Sequence, residues 1–319
     1  MNLSVICPVY NEQAYIQNLI NYLVRVNPIQ KEIIFIDGGS TDRTIEIIQN
    51  YSAQYPNIKL LHNPKKYVPF ALNIAIENCS TEYISRIDAH CTYADDYFEK
   101  IIDTFSETGA DIVGGPTRTA FHSPFQQAVG YAISTKLGVG DSLVHQLDYK
   151  GYTDSVTFGA WRRNIFDEVG LFDTRLLRNQ DDEFHYRAKS LGKRIYQNPD
   201  IKLYYYPRST PHGLFKQYFQ YGLFKPRVLR KIQTEIKLRH LIPMFFVLYL
   251  VMLPLLTWVS ALFILPLLLY ILLITWVGFR HPAPLKVRLL TALSYPIIHT
   301  GYGLGFLLGL FFQPERFMR

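Results

Sequence analysis

The sequence predicts an α/β protein, a doubly wound and mostly parallel sheet followed by C-terminal transmembrane helices. Three observations carry this reading. Apolar strand-like runs alternate with helical patterns over the first 115 residues. Residues 241–278 hold no charged side chain. The charge is also split: residues 201–319 carry 14 basic and 2 acidic side chains, whereas residues 1–200 carry 19 basic and 24 acidic. The basic part is the apolar part, which fits a membrane and its anionic surface better than nucleic acid. A length of 319 residues allows one large domain and something extra.

The elements follow in order. "LSVICPV" (3–9) is a short β-rich run. Residues 13–26 space Ile16, Leu19, Ile20, Leu23 and Val24 as one face of a helix. "EIIFID" (32–37) is a second strand, "GGSTDRT" a turn, and "TIEIIQNY" the next helix, with Ser40 or Thr41 placed to cap it and Asp42 near its positive end. "IKLLHN" (58–63) is a third strand, and "PFALNIAIENC" (69–79) is a helix opened by proline. "EYISRID" (82–88), the helix "DDYFEKIIDTF" and the strand "ADIVGG" complete the alternation. Largely apolar strands alternating with helices imply a parallel sheet covered on both faces. Ligands bind such sheets beyond the C-terminal strand ends, where Asp37 and Asp88 both fall.

After residue 115 the pattern loosens. Residues 158–173 read as loop with a short helix, residues 179–192 as a helix that begins with acids, and residues 194–208 as two short strands. Residues 212–232 interleave aromatics with Lys and Arg on a helical pattern broken by Gly222 and Pro226, the composition of a helix in a membrane interface.

One helix over residues 241–278 would run about 57 Å at ~1.5 Å per residue, against a hydrocarbon core of about 30 Å. Two spans turning near Trp258-Val259-Ser260 fit better. A third apolar segment, 289–312, carries Gly301, Gly305 and Gly309 at four-residue spacing, which permits close helix packing. The expected organisation is therefore a domain over 1–210, an interfacial region over 211–240 and a transmembrane region over 241–319, with spans near 241–258, 261–278 and 289–312. Arg227, Arg230, Lys231, Lys237 and Arg239 precede the first span, and Arg280, Lys286 and Arg288 follow the second. Both flanks are therefore expected on the cytoplasmic side of an inner (plasma) membrane, with the N-terminal domain beside them. No charged leader precedes the first strand, and Cys7, Cys79 and Cys91 are spaced as buried thiols rather than a disulfide or zinc set.

Asp88-Ala89-His90 follows the fourth large strand. In extended chain, residues i and i+2 point the same way, so Asp88 and His90 would reach one divalent cation together. Asp37 is followed by Gly38-Gly39-Ser40, where glycines let backbone approach a ligand. Neither a dinucleotide fingerprint nor a P-loop is present. Gln180-Asp181-Asp182-Glu183 sets three acids at a helix start, which serves either the helix dipole or a general base with supporting carboxylates.

Together these motifs resemble the family 2 inverting glycosyltransferases of the GT-A fold, and among them the bacterial exopolysaccharide enzymes of succinoglycan assembly. The resemblance spans roughly residues 1–310. "CPVYNE" (7–12) is similar to the family's opening nucleotide loop, which implies Pro8, Tyr10 and Glu12 at the nucleotide. "IDGGSTD" (36–42) resembles its second motif and implies Asp37 at the base; Gly38 stands where many members have a second Asp. "DAH" (88–90) stands where most have D-x-D, implying Asp88 and His90 as ligands of Mn²⁺ or Mg²⁺. "NQDDEFHYR" (179–187) resembles the E-D-x-D-L-x-x-R pattern, implying Asp181 as catalytic base, supported by Gln180, Asp182, Glu183 and Arg187. "KQYFQYG" (216–222) resembles a later segment and implies Gln217 over the donor.

The implied partners are a nucleotide-sugar donor, UDP-sugar first, a polyprenyl-diphosphate-linked glycan acceptor and membrane lipids, with no nucleic acid. Three spans are few for a polymer channel, which favours addition of one sugar. The alternatives are a polyprenyl-phosphate sugar synthase, which differs only in acceptor, and a non-catalytic membrane nucleotide-sugar binding protein.

Overall fold

The structure is a computed structural model that describes residues 3–232 and 237–317. The two residues before the first strand, residues 233–236 of the expected interfacial region and the last two residues of the expected transmembrane region lie outside the described residues. The chain forms two compact units, Met1–Arg118 with Gln146–Tyr205, and Thr119–His145 with Tyr206–Arg319.

In the first unit, β1 (Leu3–Val9), α1 (Ile16–Arg25), β2 (Glu32–Asp37), α2 (Thr44–Ser52), β3 (Ile58–His62), α3 (Val68–Asn78) and β4 (Tyr83–Arg86) give the expected alternation. Then come β5 (Thr92–Tyr93), α4 (Tyr97–Thr108), β6 (Ile112–Gly114) and β7 (Thr117–Thr119). After the excursion into the second unit follow β8 (Gly151–Tyr152), β9 (Ala160–Arg162), α7 (Ile165–Val169), α8 (Gln180–Ser190), β10 (Ile195–Gln197) and β11 (Leu203–Tyr205). The central sheet has the order β3-β2-β1-β4-β9-β6-β10-β8. β3, β2, β1 and β4 are parallel, while β9 runs antiparallel between β4 and β6. A small sheet orders β5-β11-β7.

Both sheet faces are buried, so the strands are apolar on both sides. Leu3, Val5, Cys7 and Val9 of β1 meet α1 and α4 on one face. Ile6, with Ile34, Ile36 and Ile84, meets α3, α7 and α8 on the other. Each fully buried aliphatic side chain contributes about 1.5–3 kcal/mol. Pro8 is tolerated in this central strand because the ladder to β4 covers only Leu3–Ile6. All three cysteines are free and buried. Burial raises the Cys79 thiol to about 11.

The second unit holds α5 (Pro124–Ile133), α6 (Lys136–Val139), α9 (Pro211–Lys231), α10 (Leu238–Val259), α11 (Leu265–Phe279) and α12 (Leu285–Phe311). Residues 119–145 thus group with the C-terminal helices and not with the rest of the stretch 1–210. The reason is the apolar face of α5, whose Val129, Ala132 and Ile133 cluster with Leu214, Ile274, Tyr295 and Ile298.

The break expected at Gly222 and Pro226 is also absent. α9 is one uninterrupted helix with Pro226 inside it, and both residues lie on its buried face. Packing overrides the local helix penalty. A Cβ at Gly305 would stand 2.1 Å from the Phe219 carbonyl oxygen, and one at Gly222 2.0 Å from that of Tyr302. The glycine spacing thus does serve close packing, with α9 as the partner. Two helical segments are long and apolar enough to cross a membrane among the described residues, Leu238–Val259 and Ala261–Phe279. They turn at Ser260, whose Oγ accepts from Leu262 N. The third segment is a 27-residue helix that buries Thr291, Ser294 and Tyr295.

Candidate active site

Two loops leave the C-terminal ends of β1 and β2 and are tied together by hydrogen bonds. Asn11 N donates to Ser40 Oγ at 2.9 Å, and Thr41 N donates to Asn11 Oδ1 at 2.8 Å. Glu12 N donates to Thr44 Oγ1 at 2.8 Å. Ser40 and Thr41 are thus engaged with Asn11 and do not cap α2 as expected. The N-cap residue Arg43 has no side-chain cap hydrogen bond, and Asp42, just before it, accepts from the Thr44 N and Oγ1 at 3.0 and 2.6 Å. Tyr10 is exposed and Pro8 half-buried beside this paired loop.

Asp37 is buried and closes its own turn. Its carboxylate accepts from Gly39 N at 2.7 Å and Ser40 N at 3.1 Å. Gly39 takes φ 84°, the left-handed region open to glycine.

Asp88 corrects the extended-chain argument. β4 ends at Arg86, and Ala89 and His90 lie in a turn closed by Cys91 N donating to Asp88 O. The turn is braced by Tyr93, whose hydroxyl accepts from Asp88 N at 2.8 Å and donates to Asp88 O at 3.1 Å. His90 Nδ1 lies 3.1 Å from Glu12 Oε1, which joins this turn to the first loop. Asp88 and His90 offer a carboxylate oxygen and an imidazole, and their side chains are 20% and 40% exposed. Both are reachable from solvent, but among the described residues no group of three or more His, Cys, Asp or Glu side chains could hold a metal ion by itself, so phosphate and water would have to complete the shell of any cation bound there.

Asp181 stands in the first turn of α8, after Asn179 in the left-handed region. Arg86 Nη1 donates to both its oxygens, at 3.0 and 2.8 Å. The same guanidinium reaches Asp88 Oδ1 from Nη2 at 3.3 Å. Arg86 lies near the end of the strand-like run 82–88, and no local sequence signal marks it. Gln180 is buried, with Nε2 3.5 Å from Asp181 Oδ2. Asp182 is half-buried.

Glu183 and Arg187 turn inward. Arg187 donates to Glu183 from Nε at 2.8 Å and Nη2 at 3.1 Å, and to the carbonyls of Val169 and Leu171. They fasten α8 to the segment after α7. His185, one turn beyond Asp181, is buried with Nδ1 2.8 Å from Ser155 Oγ. Burial lowers its pKa, against the pull of Asp181 and Asp182. Gln217 belongs to the second unit, on α9, where Nε2 donates to Tyr221 Oη at 2.9 Å. Arg86 thus joins Asp88 to Asp181, with Gln180 beside it, while Glu12 and His90 form a second pair on the turn that follows Asp88.

Residues 4–170 match the family described as Glycosyl transferase family 2. The succinoglycan biosynthesis protein ExoA of Rhizobium meliloti (strain 1021) is 34% identical over 244 residues, 75% of this chain and 74% of that protein. A Methanococcus voltae dolichyl N-acetyl-alpha-D-glucosaminyl phosphate 3-beta-D-2,3-diacetamido-2,3-dideoxy-beta-D-glucuronosyltransferase is 28% identical, covering 72% of this chain and 74% of that one. Among solved structures, the mannosyltransferase PcManGT from Pyrobaculum calidifontis, in complex with GDP-Man and Mn²⁺, superposes with TM-score 0.62 at 14% identity, covering 97% of this chain and 87% of that one. S. aureus TarS 1–349 with UDP-GlcNAc gives TM-score 0.57 at 18% identity, covering 97% and 91%. These likenesses identify the fold as GT-A-like. With the matched domain and the ExoA identity, the chain belongs to glycosyl transferase family 2.

Proposed function

We propose that this glycosyltransferase is an inverting, metal-dependent enzyme of exopolysaccharide or cell-surface glycan assembly. It moves one sugar from a nucleotide sugar, a UDP-sugar first, to a polyprenyl-diphosphate-linked glycan. The observation that carries this is the Asp181 carboxylate at the start of α8, 32% exposed and held in the same cluster as Asp88.

Asp88 and His90 would hold the divalent cation, which when bound offsets the negative charge gathering on the departing diphosphate. Asp181 takes the proton from an acceptor hydroxyl as that oxygen forms its bond to the anomeric carbon. The bond from that carbon to the diphosphate oxygen breaks on the opposite face, and the nucleoside diphosphate leaves with the electron pair. One displacement inverts the configuration. The paired loops around Asn11, Asp37 and Ser40 form the wall against which the nucleotide is read, with Tyr10 exposed to stack on it. Gln217 is assigned to the donor on resemblance alone.

A membrane-bound acceptor is supported by α10 and α11, which expose long apolar side chains up to Trp258 at 89%. The basic residues flanking these helices support a cytoplasmic catalytic unit in a multi-pass inner-membrane protein. The name of the Methanococcus relative describes transfer to a sugar on dolichyl phosphate, which favours a lipid-linked glycan over a bare lipid phosphate.

The test is nucleoside diphosphate release by detergent-purified protein given UDP-, GDP- and dTDP-sugars, a bacterial lipid extract and Mn²⁺ or Mg²⁺. Release that needs both metal and lipid supports the reading. Tight nucleotide binding without release from any donor contradicts it and favours a binding protein.

A further inference from the structure

Arg86 is the last residue of β4, and its place is fixed from several sides. Its backbone N–H donates to Gly159 O at 3.1 Å, and its guanidinium lies over the Phe158 ring, 5.2 Å from the centroid. Phe158 itself sits at φ 56°, a conformation costly for an aromatic residue. The side chain is 7% exposed. A buried guanidinium persists only when its charge is met, and here it meets two carboxylates from distant parts of the chain.

Its donors are divided between them. Nη1 serves both oxygens of Asp181, while Nε and Nη2 converge on one oxygen of Asp88 at 3.4 and 3.3 Å. One rigid, planar cation therefore spans the residue read as the base and the residue read as the cation ligand. A lysine, a point charge on a flexible stem, cannot hold both at once.

We propose that Arg86 is a positioning residue of the transfer, holding the Asp181 carboxylate in register with Asp88 through a single guanidinium. This rests on the reading of Asp181 as base. A group displaced by an ångström loses rate far more than it loses ligand binding, so the effect belongs in kcat. Arg86 itself touches no reacting atom in this account.

The test compares the wild type, Asp181→Asn, Arg86→Gln and Arg86→Lys, all full-length in detergent. Nucleoside diphosphate release is normalised to the binding-competent fraction, measured by calorimetry with UDP and Mn²⁺. Wild-type release that Asp181→Asn abolishes establishes the base. Arg86→Gln is then expected to lose about 10²-fold in kcat with donor KM within about fivefold, and Arg86→Lys to lose at least about tenfold. Should Arg86→Gln fail to fold, the Lys variant decides alone. Normalised turnover of the Arg86 variants within about threefold of wild type, or a loss carried wholly in KM, overturns the proposal. A wild type that releases nothing from any donor instead overturns the functional reading, and the positioning role with it.

Discussion

Glu12 Oε1 lies 3.1 Å from His90 Nδ1, so a residue of the first loop fixes one imidazole nitrogen of the turn after β4. Sequence motifs assign Glu12 to the nucleotide, yet its carboxylate is turned to the histidine. A carboxylate on one ring nitrogen sets the tautomer and orients the other nitrogen toward a cation. Glu12→Gln is therefore expected to weaken Mn²⁺ binding in the presence of UDP by about tenfold, read by electron paramagnetic resonance. Unchanged affinity would show that Glu12 serves the fold or the base instead.

Glu183 and Arg187 form an ion pair whose carboxylate side is fully buried. Arg187→Met removes the cation of a pair whose carboxylate is buried and is expected to cost about 3–5 kcal/mol. The double variant Glu183→Gln with Arg187→Met is expected to cost less than the sum of the two single changes. Thermal unfolding of the four proteins checks this. Additive losses would mean the two residues stabilise the fold separately.

How far the sequence speaks is visible in these same residues. Of the four parallel strands, β1 and β2 are legible as largely apolar runs, and β3 and β4, which carry Lys59, His62, Ser85 and Arg86, mainly by their place in the strand-helix alternation. β9 is three residues long and β5 and β8 two each, too short to show a period, so they read as loop. Asp88 and His90 are legible as a chemical pair, but their geometry is not, because strand pairing stops at Arg86. Arg86 is silent in sequence because its meaning comes from Asp181, 95 residues away. Glu183 and Asp181 look equivalent in an acidic run. Only the packing of α8 sends one inward and leaves the other half-exposed.

The four-residue glycine spacing of α12 predicts a steep dependence on side-chain size. A Cβ at Gly305 would press on the Phe219 carbonyl oxygen at 2.1 Å, so Gly305→Ala is expected to cost about 1–3 kcal/mol and Gly305→Leu more. Leu304→Ala, at an exposed neighbour, is the control. Detergent-solubilised thermal unfolding reads the difference. Equal midpoints for Gly305→Ala and the wild type would contradict the close approach of α9 and α12.

His185 predicts a pH dependence. Its folded pKa is lowered by burial, so the folded chain binds fewer protons there than the unfolded chain. Its contribution is complete above the ordinary histidine value of about 6.5 and is lost as pH falls below it toward the lowered folded value. His185→Gln is expected to flatten the stability profile below that pH, measured by urea unfolding of wild type and variant in parallel. Identical slopes in both would exclude His185 as the source.

The central claim is that Asp181 is the base of the transfer. Asp181→Asn keeps the shape of the side chain and removes the proton acceptor. With the best donor and lipid extract, the variant is expected to lose at least about 10³-fold in nucleoside diphosphate release while binding UDP and Mn²⁺ within about fivefold of wild type. Release within about tenfold of wild type by the folded variant would contradict the account and move the base elsewhere.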